Sequence, residues 1–153
     1  PALTMKSNSE VVSAQSFLRK MMQDGNTAEA KKALKALIAD VPYSNKKMAS
    51  MDMEERYRLI MSTIFRALGF RVEVERMLAT GRIDMIVEVP SFIYVLELKL
   101  SNNGGISAAE SQIKDKSYTE PFKADKRKVI ALAVELDETG KGLIDWKEVD
   151  ESL

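Results

Sequence analysis

Two apolar runs, residues 82–89 and 92–100, are separated only by Pro90-Ser91. A link that short leaves its flanking segments little choice but an antiparallel hairpin. With the turn centred on that pair, Ile83 faces Leu98, Met85 faces Leu96, Val87 faces Tyr94 and Val89 faces Phe92, an apolar face throughout. The other face sets Asp84 against Glu97, Arg82 against Lys99 and Ile86 against Val95. A slip of one residue would exchange the two faces, so the pattern itself argues for this register.

Opposed carboxylates on a strand pair cost about 0.2–1 kcal/mol even when solvated, and more when water is excluded. A cation between them reverses the sign. Glu97 and Lys99 are two apart and share a face, so two acids and a lysine converge from adjacent strands. The chain has no histidine and no cysteine. That excludes histidine-containing triads, histidine and cysteine metal sites, and thiol nucleophiles. Carboxylates, lysine and water remain, and oxygen donors select a hard ion such as Mg²⁺, Mn²⁺ or Ca²⁺. Such a set suits phosphodiester hydrolysis. Asp84 and Glu97 would hold the ion, with the Leu98 carbonyl as a third donor. Lys99 would orient or help deprotonate the attacking water and offset charge in the transition state. The plain alternative is a solvated ladder of ion pairs among Arg82, Asp84, Glu97 and Lys99.

The 153 residues, 45% of them hydrophobic, are enough for one domain with a proper core. Val11, Val12, Ala14, Phe17, Leu18, Met21 and Met22 recur at helical spacing up to Gly25. Ala30, Leu34, Leu37 and Ile38 mark a second helix from Thr27. Residues 1–43 read as a helical N-terminal extension and 44–153 as the main domain, with a polar connector at 44–50. Asp52 and Glu55 signal a capped helix start, and Gly69 ends that helix. Strands follow at about 70–77, 82–89 and 92–100, then a plain loop, Asn102-Asn103-Gly104-Gly105. Ser107 with Glu110 predicts the next helix start, running to about Tyr118. A strand at 128–135, apolar on both faces, and a short one at 143–149 complete the chain. The order α-β-β-β-α-β predicts an α/β fold, a mixed sheet flanked by helices. No apolar run approaches membrane-spanning length and no signal peptide is visible, so a cytoplasmic location is the expectation.

Gly81-Arg82-Ile83-Asp84, followed by Tyr94-Val95-Leu96-Glu97-Leu98-Lys99-Leu100, resembles motifs II and III of the PD-(D/E)XK nuclease superfamily. More narrowly, the chain is similar to the nuclease-like domain often found after a predicted AAA-type ATPase domain in bacterial and archaeal proteins. Residues 64–70, the Ala109/Gln112/Ile113/Lys116/Tyr118 helix, Ala124-Asp125 and Asp145-Trp146 extend the likeness over roughly residues 33–149. The resemblance implies a restriction-endonuclease-like core and cleavage of DNA dependent on Mg²⁺ or Mn²⁺. The motif's proline is Ile83 here, which leaves the carboxylate in place. The ATPase domain is absent from these residues, so it would be a further domain or partner. Thr139-Gly140-Lys141-Gly142 lacks the spacing of a phosphate-binding loop. Cutting both strands of a duplex calls for two active sites, which a homodimer would supply.

The resemblance also marks Glu54, where the superfamily often places an additional acid, although an acid there also complements a helix N-terminus. Gln112 matches a glutamine that in related nucleases would contact the ion's water or the substrate. Lys116, four residues on and on the same helical face, is a phosphate-binding candidate with Lys114 and Arg82. Tyr118 reads as a core or a base-stacking residue, and Trp146 as core. The net charge of zero tempers a nucleic-acid reading, because phosphate affinity needs cations. It keeps open a module that uses this fold to bind DNA or a protein without cleaving. A third reading docks the basic N-terminal helices on another domain.

Overall fold

The computed structural model of the chain describes residues 8–41 and 51–151; the connector expected at 44–50 lies outside them. Five strands form one sheet in the order β1 (Arg71–Met77), β2 (Arg82–Glu88), β3 (Phe92–Leu100), β4 (Lys128–Leu136) and β5 (Leu143–Val149). The β3–β4 pair is parallel and the other three are antiparallel. Parallel neighbours need a crossover, and helix α4 (Gly105–Lys116) provides it. Helices α1 (Asn8–Asp24), α2 (Thr27–Ala39) and α3 (Met53–Ala67) cover the opposite face of the sheet. This is the expected α/β, restriction-endonuclease-like architecture with an N-terminal helical segment.

The hydrophobic pattern explains the layers. Leu18, Met22, Leu34, Tyr57, Met61 and Phe65 interleave with Met85, Val87, Tyr94, Leu96, Leu132 and Val134 on the first face. On the second, Ala109, Ile113 and Tyr118 pack on Ile86, Ile93, Val95, Ala131 and Ala133, where two alanines let the helix come close. The first two helices share the sheet's own core. The Tyr94 hydroxyl donates to the Met22 carbonyl at 2.5 Å, and the Trp146 indole donates to the Thr27 carbonyl at 2.8 Å. Gly25, with φ of +74°, makes the turn between them, and a Cβ there would meet the Phe92 ring at 2.5 Å. Phe17, expected on the apolar stripe of α1, is instead 44% exposed.

Asp52 caps α3 as expected, accepting the Glu55 N–H at 2.8 Å, and Gly69 ends it in the left-handed region. The start of α4 differs from expectation. Ser107 is not its cap: the helix begins at Gly105, after a single 3₁₀ turn at Ser101–Asn103. Glu135 of β4 accepts the Ile106 N–H at 3.0 Å and the Ser101 hydroxyl at 2.7 Å. The chain turns so soon after β3 that the cap comes from the neighbouring strand, which no local pattern announces. Glu110, expected in that cap, pairs with Lys147 at 2.9 Å.

The hairpin register holds from Glu88↔Ile93 to Met85↔Leu96 and then departs from expectation. Pairing stops at Met85↔Leu96, and Ile83 packs in the cluster on the α4 side, not opposite Leu98.

Candidate active site

The site forms where β2 and β3 part. Asp84 Oδ2 accepts the Leu98 N–H at 2.8 Å, so a side chain fills the place of a ladder bond. An extended residue offers its N–H and C=O to the same neighbour, so the Leu98 carbonyl faces this gap too. Asp84 is 3% exposed and Glu97 1%, which rules out a solvated ladder of ion pairs. Glu97 Oε1 is buried and has no hydrogen-bond partner among the described residues, an omission that costs about 1–3 kcal/mol. Burial, and then the Asp84 carboxyl against it, push Glu97 far above the usual carboxylate range, while Lys99 pulls it down. Two buried acids in contact hold a proton when nothing else neutralises them.

A hard divalent cation fits this donor set, since it would satisfy the orphaned Glu97 oxygen and replace the shared proton. Among the described residues no group of three acidic side chains is close enough to hold an ion. The Leu98 carbonyl and water would therefore complete the shell. Glu54, half-buried in the first turn of α3, lies within electrostatic reach. Its carboxyl is raised by burial and then by Asp84, against the pull of Lys99. A cavity of about 430 Å³ opens beside it, lined by Glu54, Arg58, Glu75, Arg82 and Leu100 among others. The Arg82 guanidinium is 4.0 Å from Asp84 and 3.9 Å from Glu75, at the limit of ion pairing.

Gln112 reaches this centre only through another residue. Its amide Nε2 donates to the Tyr118 hydroxyl at 3.0 Å, and that hydroxyl donates to the Arg82 carbonyl at 2.7 Å. Tyr118 is buried, so it has no face free to stack on a base. Beside it the Thr80 hydroxyl donates to the Lys116 carbonyl at 2.7 Å. The end of α4 thus clasps the start of β2, two residues before Asp84. A Cβ on Gly81 would lie 3.3 Å from the Tyr118 hydroxyl and 3.5 Å from the Lys116 stem. Lys114 and Lys116 stand exposed in the last turn of α4.

A sequence profile of the PD-(D/E)XK nuclease superfamily matches residues 52–146. The chain belongs to this superfamily. In PD-(D/E)XK terms, Ile83-Asp84 stands where the name has Pro-Asp and Glu97-Leu98-Lys99 spells its (D/E)XK part. Members typically use divalent metals. The chain is also similar to an uncharacterized protein in the vnfD 5′ region of Azotobacter chroococcum mcd 1. The two are 31% identical over 121 residues, which cover 77% of this chain and 23% of the relative. The chain therefore spans about a quarter of that relative's length. No solved structure matches it. The matched span holds α3 and the sheet as far as the middle of β5 but leaves out α1 and α2, although these share the core.

Proposed function

We propose that the chain hydrolyses phosphodiester bonds in DNA with Mg²⁺ or Mn²⁺ held by Asp84, Glu97 and the Leu98 carbonyl. The observation that carries this reading is the buried Asp84–Glu97 pair with its orphaned oxygen, two residues from Lys99. When bound, the ion polarises a phosphate oxygen and makes water a better nucleophile. Lys99, on the Glu97 face of β3, orients the attacking water and offsets charge that builds on the phosphate. Glu54, at the lip of the site, supplies an additional acid. The Gln112–Tyr118 clasp keeps the strand of Asp84 in place, and Arg82, Lys114 and Lys116 contact flanking phosphates. A homodimer, and an ATPase domain outside these residues, belong to the same proposal.

The test is cleavage of supercoiled plasmid and of a labelled single strand with Mg²⁺ or Mn²⁺, beside a Lys99→Ala protein. Metal-dependent cutting that disappears in the variant supports the reading. Equal cutting by both proteins sinks it. The zero net charge keeps open one rival, a module that uses this fold to bind DNA or a protein without cleaving. That rival predicts retained affinity and no cutting by either protein.

A further inference from the structure

Glu75 lies in the middle of β1 with φ of +54°, and it is the only non-glycine residue within a described strand that has positive φ. Residues of this kind are strained in that region and persist only where their surroundings hold them. The consequences are visible on both sides of the sheet. Val72 and Val74 pack toward α1–α3, so regular alternation would send Glu75 toward α4 and Arg76 back. The reverse is found. Glu75 Oε1 meets Arg58 Nη2 of α3 at 2.5 Å, and the Arg76 guanidinium stands 5.2 Å over Phe122 on the α4 side.

The strand partners follow. Val74 pairs with Met85, which faces α3, and Arg76 pairs with Ile83, which packs on the α4 side. The left-handed residue therefore turns the far end of the hairpin over by one face. Its effect on β3 can be read from the ladder. The Val89 N–H bonds to the Phe92 carbonyl at 3.0 Å, and this sets which opposed pairs exchange hydrogen bonds. In an unbroken ladder the same alternation would tie the N–H and C=O of Leu98 to Ile83. Instead pairing stops at Met85↔Leu96 and Leu98 gives its N–H to Asp84.

We propose that Glu75 is a positioning residue: its left-handed backbone, held by Arg58, opens the β2–β3 ladder and so frees Leu98 to meet Asp84 beside Glu97. Its bearing on catalysis rests on the metal-site reading above. The carboxylate is the handle and the backbone is the device. Glycine adopts positive φ freely, whereas a β-branched residue resists it and favours the extended strand.

Glu75→Gly and Glu75→Val separate these roles, since both remove the carboxylate and only one opposes the kink. The first readout needs no metal. Nuclear Overhauser contacts from the Ile83 methyls should reach Ile113 and Tyr118 in the wild type and in Glu75→Gly, but switch to Leu98 in Glu75→Val. The second is calorimetric Mn²⁺ affinity, expected within about threefold of wild type for glycine and at least about tenfold weaker for valine. Should Glu75→Val fail to fold, Arg58→Met releases the handle alone, and partial appearance of the Leu98 contacts is expected. Unchanged Ile83 contacts in both Glu75→Val and Arg58→Met would overturn the proposal, as would Glu75→Gly matching valine. A wild type that binds no Mn²⁺ would refute the metal site itself, and the Ile83 contacts would still decide the role of Glu75.

Discussion

The strand β2 carries an acid near each end, and the two have opposite surroundings. At the hairpin turn, Glu88 is met by Arg127 at 2.8 Å and Arg71 at 3.3 Å. Arg127 also bonds the Asp125 carboxylate at 2.8 Å and so holds that acid at about 2, well below its ordinary value. Four residues back along the strand, Asp84 is buried against Glu97, the nearest guanidinium is 4.0 Å away, and Glu97 is pushed upward. One end brings its own cations and is complete. The other buries two acids with Arg82 only at the limit of ion pairing and Lys99 only partly offsetting them, an arrangement that costs stability unless an ion arrives. On the proposed reading, the contrast separates structural carboxylates from those that await a ligand.

The sharpest way to break that contrast is Glu97→Gln. If the pair holds the ion, cleavage should fall by about 10²–10³-fold or more, while the metal-free protein becomes more stable at neutral and alkaline pH. The sign follows from the raised carboxyl. Its contribution to stability is complete below the unfolded value of about 4.3 and is lost as pH rises toward the folded one. The chain has no histidine or cysteine, so few other groups titrate between pH 5 and 9. Glu54, raised for the same reasons, adds to the early part of the loss. Melting in EDTA should therefore occur at lower temperature at pH 9 than at pH 5. Added Mg²⁺ should oppose this, and Glu97→Gln should flatten the profile. A wild-type profile already flat without metal would erase the distinction between the two ends.

Arg127→Ala tests the other end. Melting at pH 7 should drop by a few degrees, while metal-dependent cleavage stays within about twofold of wild type. Here the sign is reversed. The lowered Asp125 carboxyl gives stability that is present above its unfolded value, about 3.9, and lost as pH falls toward about 2. The deficit of the variant should therefore shrink between pH 7 and pH 3. A loss of cleavage as large as that of Glu97→Gln would show that the two ends are not independent.

Most of the fold could be read from the chain because its signals are local. The Pro90-Ser91 turn set the register of the hairpin, Asp52 and Gly69 bounded α3, and the apolar run of β4 announced burial on both faces. That Asp84 and Glu97 come near each other was legible for the same reason, but not that Asp84 meets the Leu98 N–H where the ladder opens. What escaped depends on distant residues or on backbone conformation. Glu135 caps a helix that begins thirty residues before it. The Gln112–Tyr118–Arg82 chain joins α4 to β2. Nothing about a glutamate within Val-Glu-Val-Glu-Arg predicts positive φ, since that residue type prefers the extended conformation in a strand. The sequence pattern therefore continued the regular ladder to Ile83 and Leu98, where the structure departs from it.

The smallest expected effect concerns Lys116, whose stem lies against the Gly81 position while its head is exposed near the site. If the ammonium meets a phosphate, Lys116→Ala should weaken duplex binding a few-fold and reduce the slope of log affinity against log salt by about one. Binding measured with Ca²⁺ in place of Mg²⁺, over a salt series, separates this from any effect on cleavage. Lys20 offers the control, since it sits on α1 across the sheet and pairs with Asp24 at 3.3 Å. A slope changed equally by both substitutions would make the charge effect general. A slope changed by neither would leave Lys116 as packing for the turn that leads into Asp84. A slope changed by Lys116→Ala alone would extend the cation-poor end of the sheet into a surface that receives the phosphate backbone.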